Sequence, residues 1–413
     1  MPRRVLESRH PIDFPTLESA KDQMKIRTTL VACGLFCLGT LGLAAEAPNT
    51  LSAEELGDGW ILLFDGHSTF GWKASSDADW KVADGVISVS AGQKGLLNTT
   101  SEFGDYVLKA DFRAAQGTNS GIFLRTPEKP TDPAVDCYEL NIADETVSPF
   151  ATGSFVNREK AKSTADSREW RTFTVTADKG HFTVAIDGRP VLDYTDPRPL
   201  GRGFIGLQFN QGLVEFRNVK LKPLLLETIF NGRDLAGWQE FPGKNSKFKV
   251  TPEGTLNVRN GNGQLEFGQP IADFVLQLEV FSNGKHLNSG IFFRNIPGEF
   301  SQGYECQIQN GYEDGDRTRP TDYGTGAFYR RQKARKVVSN DFEWFQKTLV
   351  VSGDHMAAWV NGYPVSDWTD PREPHENPRS GKRLAAGTIT IQGHDPTTDL
   401  SFRKLRLGAI PAR

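Results

Sequence analysis

The chain repeats one ordered series of short strings, and the second copy begins about 170 residues after the first, a spacing far longer than that of solenoid repeats. The string NSGIFLR at Asn119–Arg125 returns as NSGIFFR at Asn288–Arg294, and DYTDPR at Asp193–Arg198 returns as DWTDPR at Asp367–Arg372. The distance between paired strings grows only in steps, as expected when insertions fall in loops. The sequence therefore predicts two whole domains of one fold in tandem.

Within each copy, apolar and polar residues alternate with a period of two, which is typical of half-buried strands. Examples are YVLKADFRA at Tyr106–Ala114 and FVLQLEVFS at Phe274–Ser282. Asp-Gly at 187–188 is a strong hairpin signal. We therefore predict an all-β chain of two antiparallel β-sandwiches, over residues 51–225 and 226–413.

Residues 1–47 are predicted to lie outside the folded domains. From Met24 the sequence has two basic residues, an apolar run to Leu43 and the small-residue pattern Ala45–Ala47, which is typical of a signal peptide. The residues before Met24 are interpreted as the result of a start codon assigned too far upstream. We expect an exported mature chain, periplasmic or extracellular, without a membrane span; a retained anchor or a lipoprotein at Cys33 are the alternatives.

The charge balance and the cysteines restrict the classes of partner. A formal net charge of −3 on 413 residues, without basic runs, argues against nucleic acid or an anionic membrane surface. Cys137 and Cys306 fall at non-equivalent positions and form no Cys/His cluster that would predict a zinc site. The joint between the copies, at 222–226, is short and apolar, so we expect the two domains to pack closely against each other.

Two neighbouring strings in each copy predict strands whose polar residues share one face. In the second copy that face carries Arg294, Glu305 and Gln307, and in the first copy Arg125 and Glu139. The face is either the solvated outside of a sheet, with an ordinary Arg–Glu cross-strand pair, or the wall of a ligand groove. Repetition of the set in both copies favours the groove, and the glycine of each NSGIF string leaves room for a ligand at the backbone.

The ordered series FDG, GW, NSGIFxR, YExQIxN, TGxFY, EW, NG, QGH and SFR resembles the 3-keto-disaccharide hydrolase domain family. The resemblance covers nearly all of the chain after residue 47, twice. It implies a concanavalin A-like jelly-roll sandwich in each copy and export in bacteria. It also implies a carbohydrate substrate, namely a glycoside whose sugar carries a ketone at C3.

A 3-keto sugar changes which catalytic groups are needed. The ketone acidifies the C2 proton, so elimination at C1 needs one base, one stabiliser of the enolate oxygen and one acid, before water adds. An ordinary glycosidase would need two carboxylates. In the second copy we predict Glu305 or His394 as the base, Arg294 with Gln307 as the stabiliser, and Tyr329 or His394 as the acid.

The second copy is predicted to be catalytic, and the first a degenerate partner that binds sugar or supports the fold. Val156 stands where the second copy has Tyr329, and Asn210 where it has His394. No obligate cofactor is predicted, and a divalent cation is possible. The predicted sugar-contacting residues are Asn288, Arg294, Gln307, Asn310, Gln392, Arg125, Glu139, Asn141 and Gln208.

Two alternatives to the enzyme hypothesis stay open. A lectin-like tandem module would bind sugar without turnover, and a scaffolding or adhesive surface protein would bind neither glycans nor keto-sugars. His394 lies in the loop-like string QGHDPTTD, where an unemployed exposed histidine is as reasonable as a catalytic one. Trp72 and Trp238 are more typical of packing than of sugar stacking.

Overall fold

A computed structural model of the chain describes residues 47–162 and 166–413, so the predicted leader lies outside the described residues. The described chain begins with a short helix, α1 (Ala53–Asp58). Ser52 caps α1: its hydroxyl accepts from the Glu55 amide at 3.1 Å, and the Glu55 carboxylate accepts from the Ser52 amide at 3.2 Å. This reciprocal pair is a capping box, which satisfies two amides at the start of the helix.

Strands make up most of the rest of the described chain. The strands of the first half are β1 (Ile61–Leu62), β2 (Trp72–Ala74), β3 (Lys81–Ala83), β4 (Val86–Val89), β5 (Gly95–Thr99), β6 (Tyr106–Ala114), β7 (Asn119–Thr126), β8 (Tyr138–Ala143), β9 (Arg171–Asp178), β10 (His181–Ile186), β11 (Arg189–Thr195), β12 (Phe204–Phe209) and β13 (Val214–Pro223). The strands of the second half are β14 (Glu227–Thr228), β15 (Trp238–Glu240), β16 (Lys247–Val250), β17 (Leu256–Arg259), β18 (Gly263–Ile271), β19 (Phe274–Ser282), β20 (Ser289–Asn295), β21 (Tyr304–Ile308), β22 (Trp344–Ser352), β23 (His355–Val360), β24 (Tyr363–Thr369), β25 (Gly387–Gly393) and β26 (Asp399–Ala409). A single 3₁₀ turn at Thr321–Tyr323 follows β21.

Each half contains two antiparallel sheets with the same strand order. In the first half the larger sheet runs β11-β10-β9-β6-β13-β4-β3, with β1 also on β13, and the smaller runs β2-β5-β12-β7-β8. In the second half the orders are β24-β23-β22-β19-β26-β17-β16, with β14 on β26, and β15-β18-β25-β20-β21. The predicted fold class, two tandem all-β sandwiches of the jelly-roll kind, is confirmed.

The core of each half lies between its two sheets. Alternate residues of β13 are buried on either side of Arg217–Asn218, where β13 shifts its register against β6, as the period of two predicts for each part. Trp72 and Trp238 belong to these cores, and their indole N–H groups donate to backbone carbonyls at 2.6 and 2.7 Å. Cys137 and Cys306 are free and buried. The tryptophans therefore pack the interior instead of forming a sugar platform.

The two halves contact each other, and Val275, Val350 and Trp359 of the second half belong to the hydrophobic cluster of the first. The Trp359 indole N–H donates to the Leu62 carbonyl at 2.8 Å, and the Arg335 guanidinium pairs with Asp65 at 2.6 Å. The close packing of whole domains that the short joint predicts stays a prediction. Among residues 47–162 and 166–413, no helix is both long and apolar enough to cross a membrane.

Candidate active site

The predicted polar face is present in both halves, as the outer face of the smaller sheet. In the second half, β20 pairs with β21 so that Phe292 lies opposite Glu305 and Gly290 lies opposite Gln307. The alternate residues of both strands enter the core: Ile291, Phe293, Tyr304, Cys306 and Ile308. Glu305 and Gln307 therefore project from the other side of the sheet, as the period of two predicts.

Gly290 is required because the side chain of Glu305 lies across it. A Cβ atom at Gly290 would come within 2.9 Å of both Cγ and Oε1 of Glu305, and within 3.4 Å of Oε1 of Gln392. The space that the glycine leaves is thus filled by the protein's own carboxylate. This corrects the sequence interpretation that the glycine leaves room for a ligand. In the first half a Cβ atom at Gly121 would come within 2.8 Å of the Leu140 carbonyl oxygen but only within 3.5 Å of Cγ of Glu139, so there the backbone, and not the glutamate, excludes a side chain.

Glu305 is a buried carboxyl with charged groups around it. It is 6% exposed, and its Oε2 lies 3.4 Å from Nη2 of Arg379. Burial raises its pKa above the usual value, while the charges of Arg379 and His394 lower that pKa and the charge of Asp322 raises it. The net direction is upward, so Glu305 takes up a proton more readily than an exposed glutamate. A buried carboxyl whose pKa is shifted upward in this way is a candidate for proton transfer.

Arg379 is absent from the predicted site residues, yet it is the cation that the fold brings to Glu305. It lies in the segment Glu373–Ala386, which precedes β25; the corresponding segment of the first copy is only Pro199–Gly203. Its Nε donates to the Ser301 carbonyl at 3.0 Å, and its guanidinium lies 5.1 Å from the ring of Phe292. The length difference between the two copies was the signal in the sequence that could have found it.

His394 and Tyr329 lie next to Glu305 in different ways. His394 directly follows β25, the strand that carries Gln392. Its Nδ1 lies 2.8 Å from Oδ2 of Asp395, and its side chain is 41% exposed. The carboxylate of Asp395 orients the ring, and the exposed side chain is accessible to a proton donor or acceptor. Tyr329 is tied to Glu305 through the backbone, because its amide donates to the Glu305 carbonyl at 2.9 Å.

A hydrogen-bonded network of amide and carboxylate side chains lies at the border of the same face. Nε2 of Gln307 lies 3.2 Å from Oδ1 of Asn288 and 3.1 Å from Oδ2 of Asp322, and Asn288 donates to that same carboxylate at 2.6 Å. Oε1 of Gln307 and Oε1 of Gln392 are buried without a hydrogen-bond partner among the described residues. Buried acceptor atoms in proteins normally have a hydrogen-bond partner. The two free amide oxygens can therefore accept hydrogen bonds from a ligand that binds at this face.

The structure corrects the prediction that Arg294 and Arg125 share the face of the glutamates. Arg294 is 0% exposed, and its guanidinium donates to the carbonyls of Ala272 and Arg383 and pairs with Asp273 at 2.9 Å. Its φ of +46° and the register shift that follows Phe292 break the alternation of β20. Arg294 is therefore placed where it ties loops together, away from Glu305.

Arg125 repeats this arrangement in the first half. It is 2% exposed, with a φ of +49°, and it donates to three backbone carbonyls and pairs with Asp105 at 2.9 Å. Its guanidinium lies 5.2 Å from the ring of Phe182, a core residue. The arginine that ends both NSGIF strings is thus retained for the same structural contacts in both halves.

Two further predicted residues form side-chain hydrogen bonds within their own half. Asn310 donates to Asp341 at 3.0 Å and accepts from the hydroxyls of Thr325 and Ser339. Asn141 donates to the Phe150 carbonyl. The predicted sugar contact of Asn310 is therefore corrected to a loop contact, since its amide has both kinds of partner within the protein.

The first half holds its glutamate in a simpler environment. Glu139 is 7% exposed, and Oε1 accepts from Nε2 of Gln208 at 3.0 Å. Burial raises the pKa of Glu139 to about 7, and the hydrogen bond from Gln208 opposes the rise. Within residues 47–162 and 166–413, no group of three or more His, Cys, Asp or Glu side chains is arranged to hold a metal ion. The divalent cation stays a prediction without a ligand set.

The fold and the polar face together place the chain among tandem β-sandwich proteins. In each half, one buried glutamate lies on the outer face of the smaller sheet. Residues 59–222 and 226–408 each match the 3-keto-alpha-glucoside-1,2-lyase-like domain. Because these two segments include most of the sequence, the chain belongs to this family and carries its domain twice. The family resemblance read from the ordered strings is confirmed.

Individual relatives are distant. A protein of Bacteroides thetaiotaomicron named 3-keto-disaccharide hydrolase is 23% identical, over 44% of this chain and 84% of the relative. A Parabacteroides distasonis structure provisionally described as a glycosyl hydrolase is 21% identical with a TM-score of 0.40, over 43% of this chain and all of its own. The carbohydrate-binding module CBM66 of Bacillus subtilis is 16% identical with a TM-score of 0.29, over 36% of this chain and 94% of its own.

Proposed function

We propose that the chain cleaves the glycosidic bond of 3-keto-glycosides, and that the reaction takes place at Glu305 in the second sandwich. The observation that carries the proposal is the setting of Glu305, a buried carboxyl with a raised pKa beside Arg379. The family and the name of the Bacteroides relative support a keto-sugar as the substrate. A single carboxylate suffices for such a substrate, whereas direct hydrolysis of an unmodified glycoside requires two.

The proposed reaction is an elimination followed by a hydration. Glu305 removes the proton from C2, next to the C3 ketone, and the electron pair of the C–H bond moves to form the enolate. The enolate then restores the ketone and forms a C1–C2 double bond, while the C1–O bond breaks and the leaving oxygen takes a proton. Water adds across the double bond, so the net result is hydrolysis and no redox partner is consumed.

Each group near Glu305 has a proposed role in these steps. The guanidinium of Arg379 takes the role predicted for Arg294, stabilising the negative charge on the enolate oxygen. His394, oriented by Asp395, protonates the leaving oxygen, and Tyr329 is the alternative acid. The unpaired amide oxygens on the same face accept hydrogen bonds from sugar hydroxyls.

The proposal is tested by Glu305→Gln, which keeps the shape of the side chain and removes the base. We expect release of free sugar from a 3-keto-disaccharide to fall by about 10²–10⁴-fold, the usual contribution of a general base. Glu279→Gln is the matched control, because Glu279 is a partly buried carboxylate paired with Arg403 on the opposite sheet. Equal turnover by the Glu305→Gln protein and its parent would refute the site.

Export and domain boundaries belong to the same proposal. The basic, apolar and small-residue pattern between Met24 and Ala47 supports a chain that works outside the cytoplasm. The boundaries 51–225 and 226–413 are proposed as the limits of the two domains. Cell fractionation shows where the protein is located. The N-terminal sequence of the fractionated protein then distinguishes an exported chain whose signal peptide has been cleaved from a chain that keeps its N-terminal segment.

A further inference from the structure

The first half carries an open cleft on the outer face of its smaller sheet. The cleft has a volume of about 550 Å³, within the range of about 300–1,000 Å³ that is usual for small-molecule sites. Glu139 and Gln208 line one part of it, and Leu96 and Phe123 line another. The cleft therefore combines buried polar groups with an apolar surface.

The cleft is open because the first half lacks the groups that cover this face in the second half. The segment Pro199–Gly203 is too short to carry a counterpart of Arg379. After β15, Phe241 packs on Phe300 with ring centroids 5.2 Å apart, whereas Ser75 follows the corresponding strand β2. The two glutamates are equally buried, but an arginine lies against Glu305 whereas an open cleft borders Glu139.

The polar part of the cleft offers hydrogen-bond acceptors. Oε1 of Gln208 is buried and has no partner among the described residues, because the amide nitrogen is directed at Glu139. An unsatisfied buried acceptor is costly unless a ligand or water donates to it. The ligand that suits this wall therefore carries hydroxyl donors.

The apolar part and the charges narrow the chemistry further. Leu96 and Phe123, which pack on the buried Cys137, form the apolar part of the wall, and such a wall suits the C–H face of a sugar ring. An anionic ligand would have to approach the buried carboxyl of Glu139. The two lysines of the lining, Lys94 and Lys129, are exposed to solvent, so they would attract an anion only weakly. A neutral polyhydroxylated ligand does not depend on either charge.

We propose that this cleft is a second carbohydrate site, which binds neutral glycosides without cleaving them. It lacks the groups assigned to turnover, since Val156 and Asn210 replace Tyr329 and His394, and within residues 47–162 and 166–413 no arginine pairs with Glu139. The site goes beyond the activity proposed for the second half and does not depend on it. It holds an unoxidised glycan on the molecule, whereas Glu305 acts on the oxidised sugar.

The test is a calorimetric titration of the whole chain carrying Glu305→Gln, with maltose, cellobiose and glucuronate as probes. We expect one of the neutral disaccharides to bind. Adding Gln208→Leu should weaken that binding at least tenfold, because it removes the acceptor and the donor to Glu139. Gln392→Leu, the same change in the second half, is the matched control and should leave the binding intact.

Three results would overturn the proposal: no binding of either disaccharide, tighter binding of glucuronate, or loss of binding with Gln392→Leu but not with Gln208→Leu. Thermal unfolding of both variants shows whether they are folded. Turnover of a 3-keto-disaccharide by the chain carrying only Gln208→Leu is measured separately and should be unchanged. Turnover can thus fail while the cleft still binds, and the two proposals are judged independently.

Discussion

Glu305 and Glu139 occupy the same position in two copies of one sheet but differ in their partners. Glu305 has an arginine at 3.4 Å, whereas Glu139 has an amide at 3.0 Å. An adjacent cation favours the ionised form of a carboxyl, and a neutral donor does so less strongly. Burial raises the pKa of both carboxyls, and a cation opposes the rise in Glu305 whereas a neutral amide opposes it in Glu139.

Arg379→Gln should move the acidic limb of the kcat/KM profile to higher pH. The positive charge of Arg379 lowers the pKa of Glu305, and its removal lets the base take up a proton at a higher pH. Activity requires the ionised base, so activity is lost earlier as the pH falls. Arg383→Gln is the control in the same segment. An acidic limb that stays in place in pH–rate measurements would show that Arg379 does not act on Glu305.

Arg294→Met should destabilise the protein by about 2–6 kcal/mol, since each buried acceptor left unsatisfied costs about 1–3 kcal/mol. The change leaves the carbonyls of Ala272 and Arg383 without this donor, whereas Asp273 keeps Arg202 and the Gly353 amide. Denaturant unfolding measures the loss, and Arg125→Met should give a similar one. An unfolding free energy within about 1 kcal/mol of the parent, together with lost turnover, would restore the catalytic role predicted for Arg294.

At the scale of elements, the pairing of β20 with β21 fixes the position of the Glu305 carboxylate. Glu305 lies flat across the glycine of the neighbouring strand, and the backbone of Tyr329 holds the other side of β21. The position of the carboxyl is thus set by strand pairing, which is rigid, and not by a loop. Sites built on strands hold their geometry more closely than sites on loops.

Gly290→Ala should reduce kcat/KM by about tenfold or more, since small displacements of a catalytic group have large effects on rate. The new methyl group would come within 2.9 Å of Glu305 and push the carboxyl away from the sheet. Steady-state kinetics on a 3-keto-disaccharide measure the loss. Gly121→Ala in the first half is the control, and activity that falls equally in both variants would point to general destabilisation.

At the scale of the whole molecule, the two halves present the same sheet face with different neighbours. In the second half Arg379, from the segment Glu373–Ala386, lies against Glu305, and the first half has an open cleft beside Glu139. Family membership covers both halves, so the difference between them lies in loops and in a few side chains, not in the fold. Loops tolerate such insertions because their ends are fixed by the sheets.

The stability of the chain should fall as pH rises from about 4.5 to about 7, through a contribution from Glu139. Its pKa is raised to about 7, so in this window the native state binds more protons than the unfolded state. The contribution is complete below the unfolded pKa and is lost by neutral pH, up to about 3 kcal/mol. Unfolding of the parent and of Glu139→Gln across this pH range measures the difference, which should vanish if Glu139 titrates normally.

The sequence by itself determined the number of domains, the all-β class and the faces on which Glu305 and Gln307 lie. These properties depend on repetition and on the period of two, which are set by neighbouring residues. Only the tertiary structure decided that Arg294 leaves that face and that Arg379 comes to it. The bulge at Arg294 and the position of the segment that carries Arg379 both depend on contacts between residues far apart in the chain. The alternation of neighbouring residues therefore cannot predict them.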